Sequence, residues 1–194
     1  MQCKERRFMR LFIAVKIDEK LKDKILEAQK GFAGLGEITF VEKGNLHLTL
    51  KFLGEVSDNT VNEISKRVKT VANKFTKFKI SISGLSFFSS ADLVKAIFIA
   101  VGEGKDKINE IEKELNQELK SFREEDFNSH PHITIGRVGH VKDKAKLIKK
   151  MDGLKNIFIG EMEIEEIILM ESKLGAFGPV YSEIEKFELK RYSC

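Results

Sequence analysis

Two stretches decide how this chain is read: NLHLTLKFLGEV, Asn45 to Val56, and PHITIGRV, Pro131 to Val138. In both, polar and apolar residues alternate at the two-residue period of a strand with one buried face. Both carry His-x-Thr with apolar spacers, His47-Leu48-Thr49-Leu50 and His132-Ile133-Thr134-Ile135. With 4 His and 6 Thr in 194 residues, chance supplies about 0.12 such triplets, and roughly 0.02 once both spacers must be apolar. One copy would carry little weight; two at matched points of the chain mark a site.

Working outward from the first stretch, RLFIAVKI (Arg10 to Ile17) is a short run of strand formers. Asp18 then opens a helix through LKDKILEAQKGF, with apolar spacing at Leu21, Ile25 and Ala28. Residues 37–41 read as a further strand, and Gly54 closes the motif strand. Ser57 or Asp58 is placed to cap a helix carrying Val61, Ile64, Val68 and Val71, and a strand follows at residues 78–85. The second stretch has the same surroundings. AIFIAVG begins a strand near Lys95, and a helix from about Gly104 to Phe122 repeats Ile108, Ile111, Leu115 and Leu119. After the motif come a Lys-rich helix at about residues 143–151 and strands at 157–164, 167–171 and 181–189. The order of elements repeats although residue identity hardly does. The predicted fold is α+β and bilobal, with two pseudo-symmetric α/β lobes whose antiparallel sheets line a central cleft. The lobes are placed at roughly residues 10–90 and 91–194 of a single domain, with strand exchange between them allowed.

Composition narrows the class. A chain with 42% apolar and 33% charged residues, 14 Gly and only 2 Pro is neither disordered nor collagen-like. No apolar run approaches a membrane span, and MQCKERRFMR is too polar to lead a secretory signal, so a cytoplasmic protein without a membrane partner is expected. Cys3 and Cys194 lie at opposite ends and form no CxxC. The 34 basic and 30 acidic residues are intermixed, a mild bias toward polyanions that proves no nucleic-acid partner by itself. GxxxxGK[ST] is absent, which argues against ATP-dependent chemistry.

Residues i and i+2 of a strand project from one face, so each motif offers an imidazole beside a hydroxyl. Two such strands facing each other would bring two imidazoles together, one to take a proton and one to give it, while Thr49 and Thr134 donate to phosphoryl oxygens. That set suits metal-free phosphodiester chemistry without a cofactor. The plainer reading is two satisfied, half-buried strand histidines. Lys51 shares parity with His47 and Thr49 and is a candidate phosphate contact, although a strand-end lysine is most often solvated. Strict alternation turns Arg137 away from His132, and a bulge at Gly136 would turn it back. Phe87, Phe177 and Tyr181, near turns, are candidates to stack on a base. Two rivals remain: a zinc hydrolase using His47, His130 and His132, and a non-catalytic module that binds RNA ends.

The paired motifs, with the opening RLFIAVKID, NLHLTLKFLGEV, PHITIGRV and the ending FGPVYSEIEKFEL, resemble the 2H phosphoesterase superfamily over nearly the whole chain. Within it, the chain is similar to the RNA 2′,3′-cyclic phosphodiesterases, also called 2′-5′ RNA ligases. The resemblance implies hydrolysis of a terminal 2′,3′-cyclic phosphate to a 2′-phosphate, and the reverse ATP-independent 2′-5′ joining. RNA ends, tRNA fragments among them, are the expected partners, and a monomer is the expected state. It also implies His47 as proton donor, His132 as proton acceptor and Arg137 as a phosphate contact; spacing alone does not fix those roles. The family's usual start aligns with Met9-Arg10, which makes residues 1–8 an extension.

Overall fold

Polar and apolar alternation gives way to helical spacing along the chain in the order the sequence predicts. The computed structural model describes residues 7–90, 93–123, 130–176 and 178–191; Cys3, Cys194 and Phe177 lie outside them. The elements are β1 (Phe8–Lys16), α1 (Glu19–Lys30), β2 (Gly36–Phe40), β3 (His47–Ser57), α2 (Val61–Ala72), β4 (Phe78–Ser90) and β5 (Leu93–Val101). They continue as α3 (Lys105–Leu119), β6 (His132–Val141), α4 (Lys144–Leu154), β7 (Phe158–Ile164), β8 (Glu166–Gly175) and β9 (Gly178–Glu188).

The helices form because one face of each has a core to cover. Leu21 and Ile25 of α1 and Ile108, Ile111, Leu115 and Leu119 of α3 are buried, each adding about 1.5–3 kcal/mol relative to exposure. Asp143 caps α4 by accepting from the Lys146 backbone N–H at 2.9 Å. The start of α2 departs from expectation, because neither Ser57 nor Asp58 caps it. A 3-10 turn at Asp58–Thr60 intervenes, and the Thr60 hydroxyl donates back to the Ser57 carbonyl at 2.6 Å. Strand β4 runs five residues beyond its expected end at Leu85, because Ser86 to Ser90 pair with β5 in a hairpin.

Two antiparallel sheets result, one ordered β3-β1-β8-β9 and the other β2-β6-β5-β4-β7. The expected lobe boundary after residue 90 falls between the paired strands β4 and β5, inside the second sheet. Strands β1 and β3 of the first half share a sheet with β8 and β9 of the second through the pairing of β1 with β8, while β2 pairs with β6 and β4 with β5 and β7. One continuous apolar core joins the inner faces of both sheets to the helices. Phe12, Ala14, Ile168 and Met170, with Tyr181 against them, form a smaller cluster. On β1 these alternate with Leu11, Ile13 and Val15 of the main core, so the small cluster lies on the sheet's other face. Among the described residues no helix is long and apolar enough to cross a membrane.

Candidate active site

Both motif strands begin at their histidine and run antiparallel to the strand that opens their half of the chain. Lys16 of β1 lies opposite His47, and Ala100 of β5 lies opposite His132. Thr49 pairs with Ala14 and Thr134 with Phe98. In both strands the register then slips by one residue. Ile13 pairs with Lys51, leaving Leu50 as an extra residue; Ile97 pairs with Gly136, leaving Ile135 extra. Each bulge swaps the faces of the residues that follow it, up to the next slip in register.

The swap decides two of the predicted residues in opposite ways. In β6, Ile133, Ile135, Gly136 and Val138 are buried, whereas Arg137 is exposed on the face that carries His132 and Thr134. Gly136 takes the core position, where a Cβ would lie 3.1 Å from Ile38 of β2. In β3 the corresponding core position belongs to Lys51. Its side chain is therefore not in the cleft: it is 2% exposed and donates to Asn116 Oδ1 of α3 at 2.6 Å. The residue that joins the His47 face is Phe52, 47% exposed and 6.1 Å, ring to ring, from Phe12. Phe52 and Arg137 thus stand five residues after their histidines on matching strands, one aromatic and one cationic.

The two imidazoles are held alike. His47 Nδ1 is 2.7 Å from the Asn45 carbonyl and His132 Nδ1 is 2.9 Å from the His130 carbonyl. A carbonyl only accepts, so Nδ1 carries the hydrogen in both rings and Nε2 is left to accept or deliver a proton. Aromatic rings set the remaining orientation. Phe12 and Tyr181 lie 5.1 and 5.2 Å from the His47 ring, while Phe88 and Phe98 lie 4.8 and 5.1 Å from the His132 ring. Tyr181 is therefore beside His47. Phe87 packs against the main core, and its neighbour Phe88, stacked on Phe98 at 4.4 Å, takes the cleft position.

Burial lowers the pKa of both histidines below its ordinary value, partly offset by the carbonyl that each faces. The charges of Arg137 and His132 lower that of His47 further, and the charge of His130 that of His132. Residues from the two sheets therefore share one electrostatic field, although His47 and Arg137 are far apart in sequence. His47, His130 and His132 do not assemble into a metal site; among the described residues no three His, Cys, Asp or Glu side chains converge on one point.

Solved structures share this architecture. The crystal structure of TT0787 of Thermus thermophilus matches with a TM-score of 0.81 at 24% identity, covering 95% of this chain and all of that one. E. coli LigT complexed with 3′-AMP matches with a TM-score of 0.76 at 20% identity, over 95% of this chain and 100% of LigT. The class is thus the bilobal fold of LigT, with a His-x-Thr strand from each sheet. The family model described as the 2′-5′ RNA ligase superfamily matches residues 21–176, and the chain belongs to that superfamily. The RNA 2′,3′-cyclic phosphodiesterase of Methanothermobacter thermautotrophicus is 32% identical over 185 residues, 93% of this chain and 99% of the relative. The protein of the same name from Methanocaldococcus jannaschii is 34% identical over 182 residues, 92% of this chain and 100% of the relative.

Proposed function

We propose that the protein hydrolyses the 2′,3′-cyclic phosphate at the end of an RNA to a 2′-phosphate, using His47 and His132 as its acid–base pair. The observation that carries this is the matched pair of imidazoles, each with Nδ1 committed to a carbonyl, and one arginine that a bulge turns to the His132 face and whose charge reaches His47. Burial favours the neutral form of both rings, so one can act as base, and a single added proton supplies the acid.

The step balances simply. One imidazole takes a proton from water as its oxygen bonds to phosphorus. The P–O3′ bond breaks, and the other imidazole gives its proton to O3′. Arg137 meets the phosphoryl charge, and the hydroxyls of Thr49 and Thr134, on the same strand faces as the histidines, donate to the non-bridging oxygens. With an RNA 5′-hydroxyl in place of water as the nucleophile, the same groups join ends through a 2′-5′ bond: that hydroxyl gives up its proton, the P–O3′ bond breaks and O3′ takes a proton. The family resemblance makes His47 the donor. In the free site, the Arg137 and His132 charges disfavour a proton on His47. An anionic phosphate seated at Arg137 removes part of that bias.

The test is turnover of a short RNA ending in a 2′,3′-cyclic phosphate, in excess EDTA, with the product phosphate mapped. His47→Ala and His132→Ala should each lose about 10²–10⁴-fold. A bridging 3′-sulfur, which leaves without protonation, should rescue only the variant that lacks the acid. Zinc-dependent turnover, or binding of the RNA without turnover, would overturn the reading.

A further inference from the structure

We propose that Gln29, in the last turn of α1, is a positioning residue for Arg137: its amide holds the Ile135 bulge that keeps the guanidinium on the histidine face. The proposal rests on the reading of the site given above. Gln29 is 5% exposed, on the buried face that also carries Leu21, Ile25 and Ala28. An apolar side chain there would fill the same space without the need to satisfy a buried amide. Instead Gln29 Nε2 donates to the Ile135 carbonyl and to the Val41 carbonyl, both at 2.8 Å, so each of its two hydrogens has an acceptor. The Val41 backbone N–H donates to the same Ile135 carbonyl at 3.0 Å. The amide therefore clamps the end of β2 to the extra residue of β6.

The placement matters because Ile135 is the residue that leaves the ladder with β5. Two donors, the Val41 N–H and the Gln29 amide, hold the bulge carbonyl, and the second bond of the amide ties it to the Val41 carbonyl as well. Regular pairing from His132 would put Gly136 on the cleft face and send Arg137 into the space now filled by Ile38 and Phe40. The other half of the molecule has a counterpart at the matching place. Asn116 of α3 accepts from Lys51, the residue after the Leu50 bulge of β3. A helix from each half thus reaches the motif strand of the other sheet at its bulge.

A double-mutant cycle on turnover of the cyclic-phosphate RNA separates positioning from general support. Gln29→Met keeps the length of the side chain and removes both donors. It should lower kcat/KM by about tenfold or more, as Arg137→Ala does. The double variant should be no slower than Arg137→Ala alone, because the bulge then has nothing to aim. Both single variants should also move the His47 limb of the pH profile upward, since each takes the arginine charge away from that ring.

Losses that multiply in the double variant, or a Gln29→Met enzyme with wild-type kcat/KM and pH profile, would overturn the proposal. An Arg137→Ala enzyme with unchanged turnover would instead sink the site reading on which it rests. If Gln29→Met does not fold, Gln29→Asn keeps the amide and shortens its reach, with the same expectation. Failure of both to fold would assign Gln29 to folding alone and overturn the proposal as well.

Discussion

Replacing Glu112 by Gln should stabilise the protein, and by an amount that depends on pH in a defined way. Glu112 lies in the middle of α3, 8% exposed, and burial pushes its carboxyl from 4.5 up to about 8. Three residues earlier on the helix, Asn109 Oδ1 is buried with no donor among the described residues, surroundings that give a negative charge nothing. At neutral pH the folded chain holds the Glu112 proton and the unfolded chain has released it. Between the two pKa values the native state binds more protons, so the contribution of this residue to stability falls as pH rises. At about 1.4 kcal/mol per unit of pH, the cost of keeping the proton is about 1 kcal/mol at pH 5, about 3 at pH 7 and about 4 at pH 8. Gln has the same shape and nothing to ionise, so it escapes that cost. Urea unfolding of wild type and Glu112→Gln at the three pH values should show a gap that widens in that order, with similar m-values. A gap that stays constant across pH, or a variant less stable at pH 8, would refute the reasoning.

Two further outcomes follow from the site. Because burial lowers the pKa of both histidines, kcat/KM for the cyclic-phosphate RNA should be bell-shaped and centred on the acid side of neutrality, falling as the acid loses its proton; a rate that keeps rising into alkali would contradict two-imidazole catalysis. Lys51→Met should leave KM within about twofold and destabilise the fold by about 1–3 kcal/mol through the bond to Asn116; steady-state kinetics and urea unfolding check both, and a tenfold rise in KM would return Lys51 to the phosphate.

Alternation and helical spacing sufficed for the elements because each has one apolar face to bury, and the strand that follows Gly104's helix is as legible as the one that precedes it. They also place His47 beside Thr49 and His132 beside Thr134 on one strand face, because these residues come before either bulge, where parity still holds. Lys51 was misplaced because parity was carried past Leu50. The signal was available: aligning the two motifs outward sets Lys51 against Gly136 and Phe52 against Arg137, so a bulge allowed for one strand applies to the other. Phe88 was missed in favour of Phe87 because β4 extends beyond Leu85 only through pairing with β5, a tertiary effect. Gln29 and Asn116 were invisible because nothing local in a helix reveals which carbonyl or ammonium group it meets across the core.

The interleaving of strands bears on what half of this chain would be. A polypeptide ending after β4 would own two strands of one sheet and two of the other. It could close neither, and its His-x-Thr strand would face no second imidazole. Two copies of such a half could close both sheets only by lending each other their last strand, as β4 is lent to β5 and β8 to β1. In such a pair the two imidazoles would be identical by symmetry. Joining them into one chain is what frees residue 52 to be phenylalanine while residue 137 is arginine, and so gives the molecule distinct left and right sides for an asymmetric substrate.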